Sequence, residues 1–139
     1  MKILLDTNVI LDIALKRQPY SGAAASILKV SDFNRFHLFI SGSMATDVFY
    51  IIRKIKGKAV GLTFLRDLLA VTDVCKVDKG VLLLALESEF GDFEDAVQHF
   101  AGVDAEVEIL ITRNKKDYAA SSLRILEPDE FVSEYLSAP

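Results

Sequence analysis

The sequence has a single cysteine, no long hydrophobic run and no excess of positive charge, and each of these features narrows the class of protein. The one cysteine, Cys75, has no partner for an internal disulfide, so an oxidising compartment is not implied. We expect Cys75 to be a small buried hydrophobic side chain. No apolar run approaches the roughly 20 residues that cross a bilayer. The N-terminus runs straight into a predicted strand without a charged region before it, so we expect no secretory signal. We therefore expect a cytoplasmic protein without a membrane segment.

The net charge also excludes one mode of nucleic-acid binding. At −4 over 139 residues, the chain lacks the basic excess that passive coating of nucleic acid requires. An enzyme whose acids are neutralised by a metal ion is not excluded. The length, and a hydrophobic content of 51%, predict one globular domain over residues 1–139 with a full core.

Apolar segments with strand and helix periodicity alternate along the chain. Strands separated by one or two helices predict a parallel sheet that is covered on both faces. The fold class is therefore α/β, a three-layer α/β/α sandwich with a central, mainly parallel sheet of about five strands. The predicted strands are the residues before Asp6, Phe36–Ser41, Val74–Val77, Val107–Thr112 and Leu123–Leu126. The predicted helices are Asn8–Leu15, Ala23–Val30, a helix capped by Ser43 that runs through Ile55, Leu62–Val71, Val81–Phe90, Asp92–Ala101 and Pro128–Leu136.

Two of the predicted helices are unusually apolar. Val81–Phe90 is apolar nearly all round, which predicts a buried helix. Leu62–Val71 has more apolar surface than one core-facing side needs. This helix either completes the core or forms an interface, with a second copy of the chain or with a partner helix in a groove.

Polar side chains follow three of the strands. They are Asp6-Thr7-Asn8, Ser41-Gly42-Ser43 and Thr112-Arg113-Asn114. Ligands of parallel sheets bind outside the carboxyl ends of the strands, so these residues predict a site at one edge. At that edge Asp6 can hold a metal or activate a water, or it can cap the next helix; the segment alone leaves both open.

Acid and amide oxygens from four regions can meet at this edge. Hard cations such as Mg²⁺ and Mn²⁺ prefer oxygen ligands. Asp47 has an alternative role as an acid favoured by the helix dipole, and Asp92 as a helix cap. His99 is expected to be a surface or hydrogen-bonded histidine. The candidate oxygen ligands are Asp6, Asp47, Asp92, Glu94, Asp95, Asn114 and Asp117.

These motifs, taken together and in order, resemble the PIN-domain family, and the resemblance covers essentially the whole chain. It is carried by Leu4–Asp12, by the acid early in the helix after the second strand, by Asp92–Ala96 and by Ile111–Tyr118. The chain is most similar to the compact VapC-like toxins of prokaryotic toxin–antitoxin pairs. The resemblance implies a PIN-like fold and a Mg²⁺- or Mn²⁺-dependent endoribonuclease that a protein antitoxin neutralises.

The resemblance also implies roles for individual acids. Asp6 matches the first acid of the family motif, and Asp95 matches the acid before a small residue on the later helix. Asp47 stands where the family usually has glutamate. Asn114 stands where many members have aspartate, and Asp117 follows three residues later. The implied catalytic residues are Asp6, Asp47, Asp95 and Asp117, and the implied metal ligands are these four with Asp92 and Asn114.

Further residues have supporting roles in this interpretation. Thr7, Asn8 and Thr112 are expected to orient the ligands or a water. Five basic residues, otherwise a solvated surface, are expected to contact RNA phosphates, which position a substrate without specifying its sequence. These five are Arg113, Lys115, Lys116, Arg53 and Lys54.

Two other functions compete with the nuclease. The first is a catalytically weak or inactive PIN-like module that binds RNA or protein, and it is motivated by Asn114 and by Asp47 at the usual glutamate position. The second is an Asp-nucleophile phosphohydrolase of another α/β fold. Those enzymes generally carry a second acid two residues after the first, where this chain has Asn8.

Overall fold

The structure, a computed structural model, describes residues 1–136, with the side chain of Asp32 excepted. A sheet of five strands forms the centre, in the order β3-β2-β1-β4-β5, and every neighbouring pair is parallel. The chain runs outward from β1 to β3 and then returns to place β4 on the other side of β1. The topology therefore reverses between β1 and β4, where open α/β sheets bind their ligands. The strands are β1 Lys2–Leu5, β2 His37–Ser41, β3 Asp73–Cys75, β4 Ile109–Ile111 and β5 Arg124–Leu126.

Helices connect the strands in the predicted alternation. They are α1 Thr7–Ala14, α2 Ser21–Leu28, α3 Gly42–Lys56, α4 Lys58–Val71, α5 Lys79–Leu86, α6 Phe93–Asp104 and α7 Pro128–Phe131. Short 3-10 turns at Lys29–Asp32 and Lys115–Tyr118 and a π-helical turn at Val132–Leu136 complete the described chain. None of the described helices is long and apolar enough to cross a membrane.

The sheet separates two apolar cores. Ile3 and Leu5 contribute to the core that α1, α2, α3, α4 and α7 cover, and Leu4 contributes to the core beneath α5 and α6. Because successive strand residues face opposite sides, burial of both faces requires an apolar side chain at every position. The predicted three-layer α/β/α sandwich is thus confirmed, with all strand pairs parallel.

The prediction that the fifth helix is buried all round is wrong. Of the residues on α5, only Val81 and Ala85 are buried, whereas Leu83 is 50% and Leu86 is 67% exposed. The main packing partner of α5 is α6, and a helix that contacts one neighbouring helix buries one face only. The apolar pattern of a helix shows which residues can be buried, but it does not show how many neighbouring elements will cover them.

The α3–α4 connection also differs from the prediction. The helix α4 begins at Lys58, a full turn before the predicted Leu62, directly after Gly57. Gly57 has φ +93°, which lets the chain end α3 and start α4 without a loop. Gly61 lies inside α4, where an added Cβ would be 3.1 Å from the ring of Phe49 on α3. This glycine therefore allows the two helices to pack closely.

Two smaller points concern single side chains. Ser41, and not Ser43, caps α3, because its Oγ accepts a hydrogen bond of 3.3 Å from the backbone N–H of Met44. Cys75 is 1% exposed and forms no disulfide, as the sequence predicts.

Candidate active site

Asp6 occupies the turn from β1 into α1. It is the N-cap of α1, and its Oδ1 accepts a hydrogen bond of 2.8 Å from the backbone N–H of Thr7. Only 6% of the residue is exposed. Asp6 is therefore a helix cap, and it also lies buried at the reversal of the sheet topology. The capping role that the sequence leaves open is confirmed, and the role in metal binding stays a prediction.

Three more donors surround the Asp6 carboxylate, and each comes from a different part of the chain. Gln98 on α6 donates its Nε2–H to Oδ1 at 2.9 Å, and Thr112, directly after β4, donates its hydroxyl to Oδ2 at 2.7 Å. The Tyr118 hydroxyl lies 3.3 Å from Oδ1. Burial of a carboxylate is costly unless protein donors replace its hydrogen bonds to water. Here protein donors make such bonds to both carboxylate oxygens of Asp6.

Asp95 approaches the same point from the first turn of α6. Its Oδ1 lies 3.2 Å from the Tyr118 hydroxyl, so one phenol contacts the carboxylates of Asp6 and Asp95. Partial burial raises the pKa of Asp95 to about 6, and the negative charges of Asp92, Asp6 and Asp117 add to the effect. Asp92 is the N-cap of α6 and accepts a hydrogen bond of 3.0 Å from the Asp95 N–H.

Tyr118 is rigidly held. Its side chain is 1% exposed, and its ring packs edge-on against Phe90 at a centroid distance of 6.1 Å. Burial, together with the charges of Asp6 and Asp95, holds the pKa of Tyr118 well above its usual range. The hydroxyl therefore stays protonated and acts as a hydrogen-bond donor.

The segment after β4 turns around Thr112. The Thr112 hydroxyl accepts a hydrogen bond of 3.0 Å from the backbone N–H of Asn114 while it donates to Asp6. Asn114 is half-buried and borders a cleft of about 340 Å³. The cleft is also lined by Tyr20, Ala23, Arg113, Glu127, Pro128 and Asp129.

Arg113 is already engaged with a partner that the sequence did not reveal. Its Nη2–H donates to Asp12 Oδ1 at 3.2 Å, and its Nε lies 2.8 Å from Oδ2. The Asp12 side chain is wholly buried. The guanidinium also lies over the Tyr20 ring, 4.0 Å from the centroid. Arg113 therefore neutralises a buried acid. The sequence had suggested only a contact with RNA phosphates for this residue.

The structure distributes the other predicted basic residues over the surface. Lys115 forms an ion pair of 3.0 Å with Glu130. Lys116 is exposed on the same 3-10 turn, and Arg53 and Lys54 are exposed in the last turn of α3.

Two of the predicted acids, Asp47 and Asp117, are exposed. Asp47 is exposed in the second turn of α3, and within residues 1–136 no hydrogen bond or ion pair joins it to Asp6 or Asp95. Asp117 is exposed on the 3-10 turn, close enough to Asp95 for its charge to raise the pKa of that residue.

Two polar residues and a histidine complete the surroundings. Thr7 Oγ1 accepts a hydrogen bond of 3.3 Å from Gln98, and Asn8 Oδ1 accepts one of 3.4 Å from Arg17. His99 is buried, and its Nδ1 is hydrogen-bonded to the Ser121 hydroxyl at 2.8 Å. His99 thus has the hydrogen-bonded role that the sequence predicts for it.

The oxygen atoms around Asp6 fit a hard divalent cation. In the described part of the chain no three histidine, cysteine, aspartate or glutamate side chains are arranged to share one ion. However, Mg²⁺ is commonly held by one or two carboxylates and retains several waters. Asp6 and Asp95 supply two carboxylates, and the Oε1 of buried Gln98 has no hydrogen-bond partner, which leaves one more oxygen free.

Three of these residues were missed by the sequence analysis. Gln98 lies three residues after Asp95, so the two share one side of α6, a spacing that could have indicated it. Tyr118 ends the last matched motif, yet only the fold shows that its hydroxyl reaches Asp6. Asp12 lies at the end of the first matched motif, and its position among buried residues of α1 was the available signal.

Comparison with known proteins agrees with this architecture. A family model described as PIN domain matches residues 2–116. Ribonuclease VapC1 from Aquifex aeolicus is 23% identical to this chain over an alignment of length 139, which covers 96% of this chain and 95% of that protein.

Solved structures show the same fold at low sequence identity. VapBC2 from Rickettsia felis, bound to a DNA fragment from its promoter, has a TM-score of 0.70 at 17% identity and covers 91% of this chain and 98% of that one. A toxin–antitoxin complex from Klebsiella pneumoniae has a TM-score of 0.69 at 22% identity and covers 91% and 97%. The resemblance drawn from the sequence motifs is confirmed: this chain belongs to the PIN-domain family.

Proposed function

We propose that this protein is an endoribonuclease that hydrolyses RNA phosphodiester bonds with a Mg²⁺ or Mn²⁺ ion held by Asp6 and Asp95. One observation carries the proposal. Two carboxylates from distant parts of the chain converge on a single hydroxyl at the reversal of the sheet topology. A relative of similar length is named a ribonuclease, which supports RNA as the substrate.

The residues around the acids have distinct tasks in this proposal. Asp6 binds the ion, and Thr112 and Gln98 fix the rotamer of its carboxylate through their hydrogen bonds. Asp95 supplies the second carboxylate from α6. The ion, when bound, stabilises the developing negative charge on the phosphate and lowers the pKa of water at the site. Thr7 and Gln98 Oε1 then orient that water.

The other candidate residues are proposed to act around the ion without binding it directly. Asp117 is close enough to influence the pKa of Asp95, which supports a role in accepting a hydrogen bond from water at the site. Asn114 contributes an uncharged amide beside the cleft. Asp47 would reach the site through a bridging water, and Asp92 contributes negative charge while it caps α6.

Exposed basic residues are proposed to hold the substrate. Lys116, Arg53 and Lys54 are exposed cations that can contact phosphates, a contact that positions RNA without reading its sequence. Lys115 and Arg113 already have acidic partners in Glu130 and Asp12. Their contribution to RNA binding is therefore smaller than that of the free cations.

A protein antitoxin is the proposed partner. The toxin–antitoxin complex among the similar structures supports this partner. A groove of about 390 Å³ between α1, α2 and α4 offers an apolar surface for a partner helix. Its apolar lining is Ile13, Ala25, Leu28, Phe64, Leu68 and Val71.

A second copy of the chain is proposed to cover α5. Leu82, Leu83, Leu84 and Leu86 are all at least 38% exposed on this helix. Exposed apolar surface in this amount is typical of an interface. A two-fold axis beside α5 would pair the surface with itself.

A catalytically weak RNA- or protein-binding module is the second candidate. It is favoured by the small number of convergent carboxylates, since Asp6 and Asp95 alone share a hydrogen-bond partner among the described acids. Tight binding of Mn²⁺ that is lost in Asp6→Asn would argue against this candidate.

Cleavage of total bacterial RNA by the purified protein tests the proposal. Mg²⁺ or Mn²⁺ should stimulate cleavage, and Asp6→Asn and Asp95→Asn should each reduce it at least a hundredfold with unchanged circular dichroism. Asp104→Asn is the control, because Asp104 is an exposed acid at the other end of α6 and should retain full activity. Undiminished cleavage by Asp6→Asn and Asp95→Asn would refute the nuclease assignment.

A further inference from the structure

The Tyr118 hydroxyl lies between the carboxylates of Asp6 and Asp95, at 3.3 Å from one oxygen and 3.2 Å from the other. A phenol carries one proton, so a single O–H is shared between two negatively charged acceptors. Both distances are longer than those of ordinary O–H···O hydrogen bonds, which is consistent with one proton attracted to two acceptors. The hydroxyl therefore draws together two carboxylates that would otherwise repel each other.

The hydroxyl contacts an oxygen of each carboxylate, and these are the same oxygens that would bind a shared cation. Adjacent oxygen ligands of an octahedral ion at 2.0–2.1 Å lie about 3 Å apart, so an ion between two carboxylates lies close to both. Tyr118 is 1% exposed and packs against Phe90, so its ring has little freedom to move aside. The O–H cannot point its positive hydrogen at both carboxylates while they coordinate a cation.

The carboxylates have other supports that do not depend on Tyr118. Asp6 also accepts hydrogen bonds from Thr7, Gln98 and Thr112. Asp95 is fixed by its position in the first turn of α6. Loss of the Tyr118 hydroxyl therefore leaves both ligands close to their present positions, but it leaves their mutual repulsion unrelieved.

We infer that the Tyr118 hydroxyl is an internal stand-in for the metal ion. The hydroxyl holds Asp6 and Asp95 together without the ion, and it competes with the ion for the same carboxylate oxygens. Tyr118 is thus a positioning residue that stabilises the ion-free protein and lowers its affinity for divalent cations. This inference rests on the proposed metal site and concerns a residue to which the nuclease proposal gives no task.

Tyr118→Phe is the direct test, because it removes only the hydroxyl. Titration calorimetry with Mn²⁺ and with Mg²⁺ should show about tenfold tighter binding to Tyr118→Phe than to the wild type. The melting temperature of the variant should be lower than that of the wild type without metal, and the difference should vanish at saturating Mn²⁺. A role in packing alone would lower the melting temperature equally in both conditions.

The control is Tyr135→Phe, which removes an exposed hydroxyl that is hydrogen-bonded to Arg124 at 2.6 Å. Its Mn²⁺ affinity should equal that of the wild type. Unchanged or weaker binding to Tyr118→Phe would overturn the stand-in role. If that result is found while the wild type binds Mn²⁺ and Asp6→Asn does not, the metal site stands and only the role of Tyr118 is refuted. A wild type that binds no ion would refute the metal site and the inference together.

A measurement on the wild type provides a second test that does not depend on the folding of the variant. The chain has four tyrosines, which can be labelled with ¹³C at Cζ and assigned with the three other Tyr→Phe variants. Addition of Mg²⁺ should shift the Tyr118 resonance, because its hydroxyl loses both carboxylate acceptors, while the other three resonances stay in place. A Tyr118 resonance unchanged at saturating Mg²⁺ would overturn the inference.

Discussion

The guanidinium Nε of Arg113 lies 2.8 Å from the wholly buried carboxylate of Asp12, although 101 residues separate the two in the sequence. The pair joins α1 to the segment after β4, and these two elements also carry Asp6 and Thr112. An ion pair at this place therefore affects the geometry of the candidate active site as well as the stability of the fold.

Arg113→Ala should be strongly destabilising. The substitution leaves the Asp12 carboxylate buried without its main partner, a situation that costs about 3–5 kcal/mol of unfolding free energy. Urea denaturation should show this loss, whereas Lys116→Ala, which removes an exposed cation three residues later, should stay within about 0.5 kcal/mol. The double variant Asp12→Leu with Arg113→Met should recover most of the stability. Equal stability of Arg113→Ala and Lys116→Ala would contradict the buried pair.

Thr112→Val should reduce stability more than a matched threonine substitution elsewhere. The Thr112 hydroxyl donates to the charged Asp6, and such a bond contributes about 1.5–3 kcal/mol. Thr72→Val is the control, because the Thr72 hydroxyl is also buried but donates to the neutral carbonyl of Leu68 at 2.9 Å, a bond of about 0.5–1.5 kcal/mol. Chemical denaturation of both variants gives the comparison. A loss at Thr112 no larger than that at Thr72 would argue against the charged hydrogen bond.

The ion-free protein should lose stability as the pH rises toward 6. Burial and neighbouring acids raise the pKa of Asp95 from 3.8 to about 6, so between these values the folded protein binds more protons than the unfolded chain. The contribution of Asp95 to the unfolding free energy therefore falls through this window and is constant above it.

Asp95→Asn removes this contribution. Without metal, the variant should melt at a higher temperature than the wild type at pH 7–8, and the difference should shrink toward pH 4. Calorimetry across this range measures it, with Asp104→Asn as the control that keeps the wild-type profile. A wild type that is more stable than Asp95→Asn at pH 8 without metal would be the opposite of the expected result.

The exposed leucines of α5 should tolerate charge when the chain is monomeric. Leu83→Lys and Leu86→Lys should change the unfolding free energy of a dilute sample by no more than about 0.5 kcal/mol, whereas Ala85→Lys, at a buried position, should cost several times more. Sedimentation should show a dimer for the wild type and a monomer for Leu83→Lys. A wild type that stays monomeric at high concentration would contradict the proposed second copy.

The fold and the position of Asp6 could be predicted from the sequence because their causes are local. Strands buried on both faces require apolar runs, and Asp6 interrupts such a run at its end. The exposure of α5 could not be predicted, since the same apolar residues suit a buried helix or an interface. Its surroundings depend on which elements the chain brings next to it.

The partners within the site depend on the tertiary structure. Arg113 was expected to contact RNA because Asp12 is far away in sequence. Tyr118 was given no role, because its hydroxyl meets Asp6 and Asp95 only in the folded chain. The convergence of Asp6 with Asp95 was inferred from the family resemblance. Only the folded structure shows that the Tyr118 hydroxyl lies between them. Asp47 remains a predicted ligand that the structure leaves exposed on α3.

Anomalous diffraction from crystals soaked in Mn²⁺ tests the central claim most directly, because it locates the ion without reference to activity. The account predicts an anomalous peak within about 2.5 Å of a carboxylate oxygen of Asp6 and one of Asp95, and no such peak in Asp6→Asn crystals. Manganese bound only at other acids, or a peak that persists in Asp6→Asn, would contradict a metal centre built on these two residues.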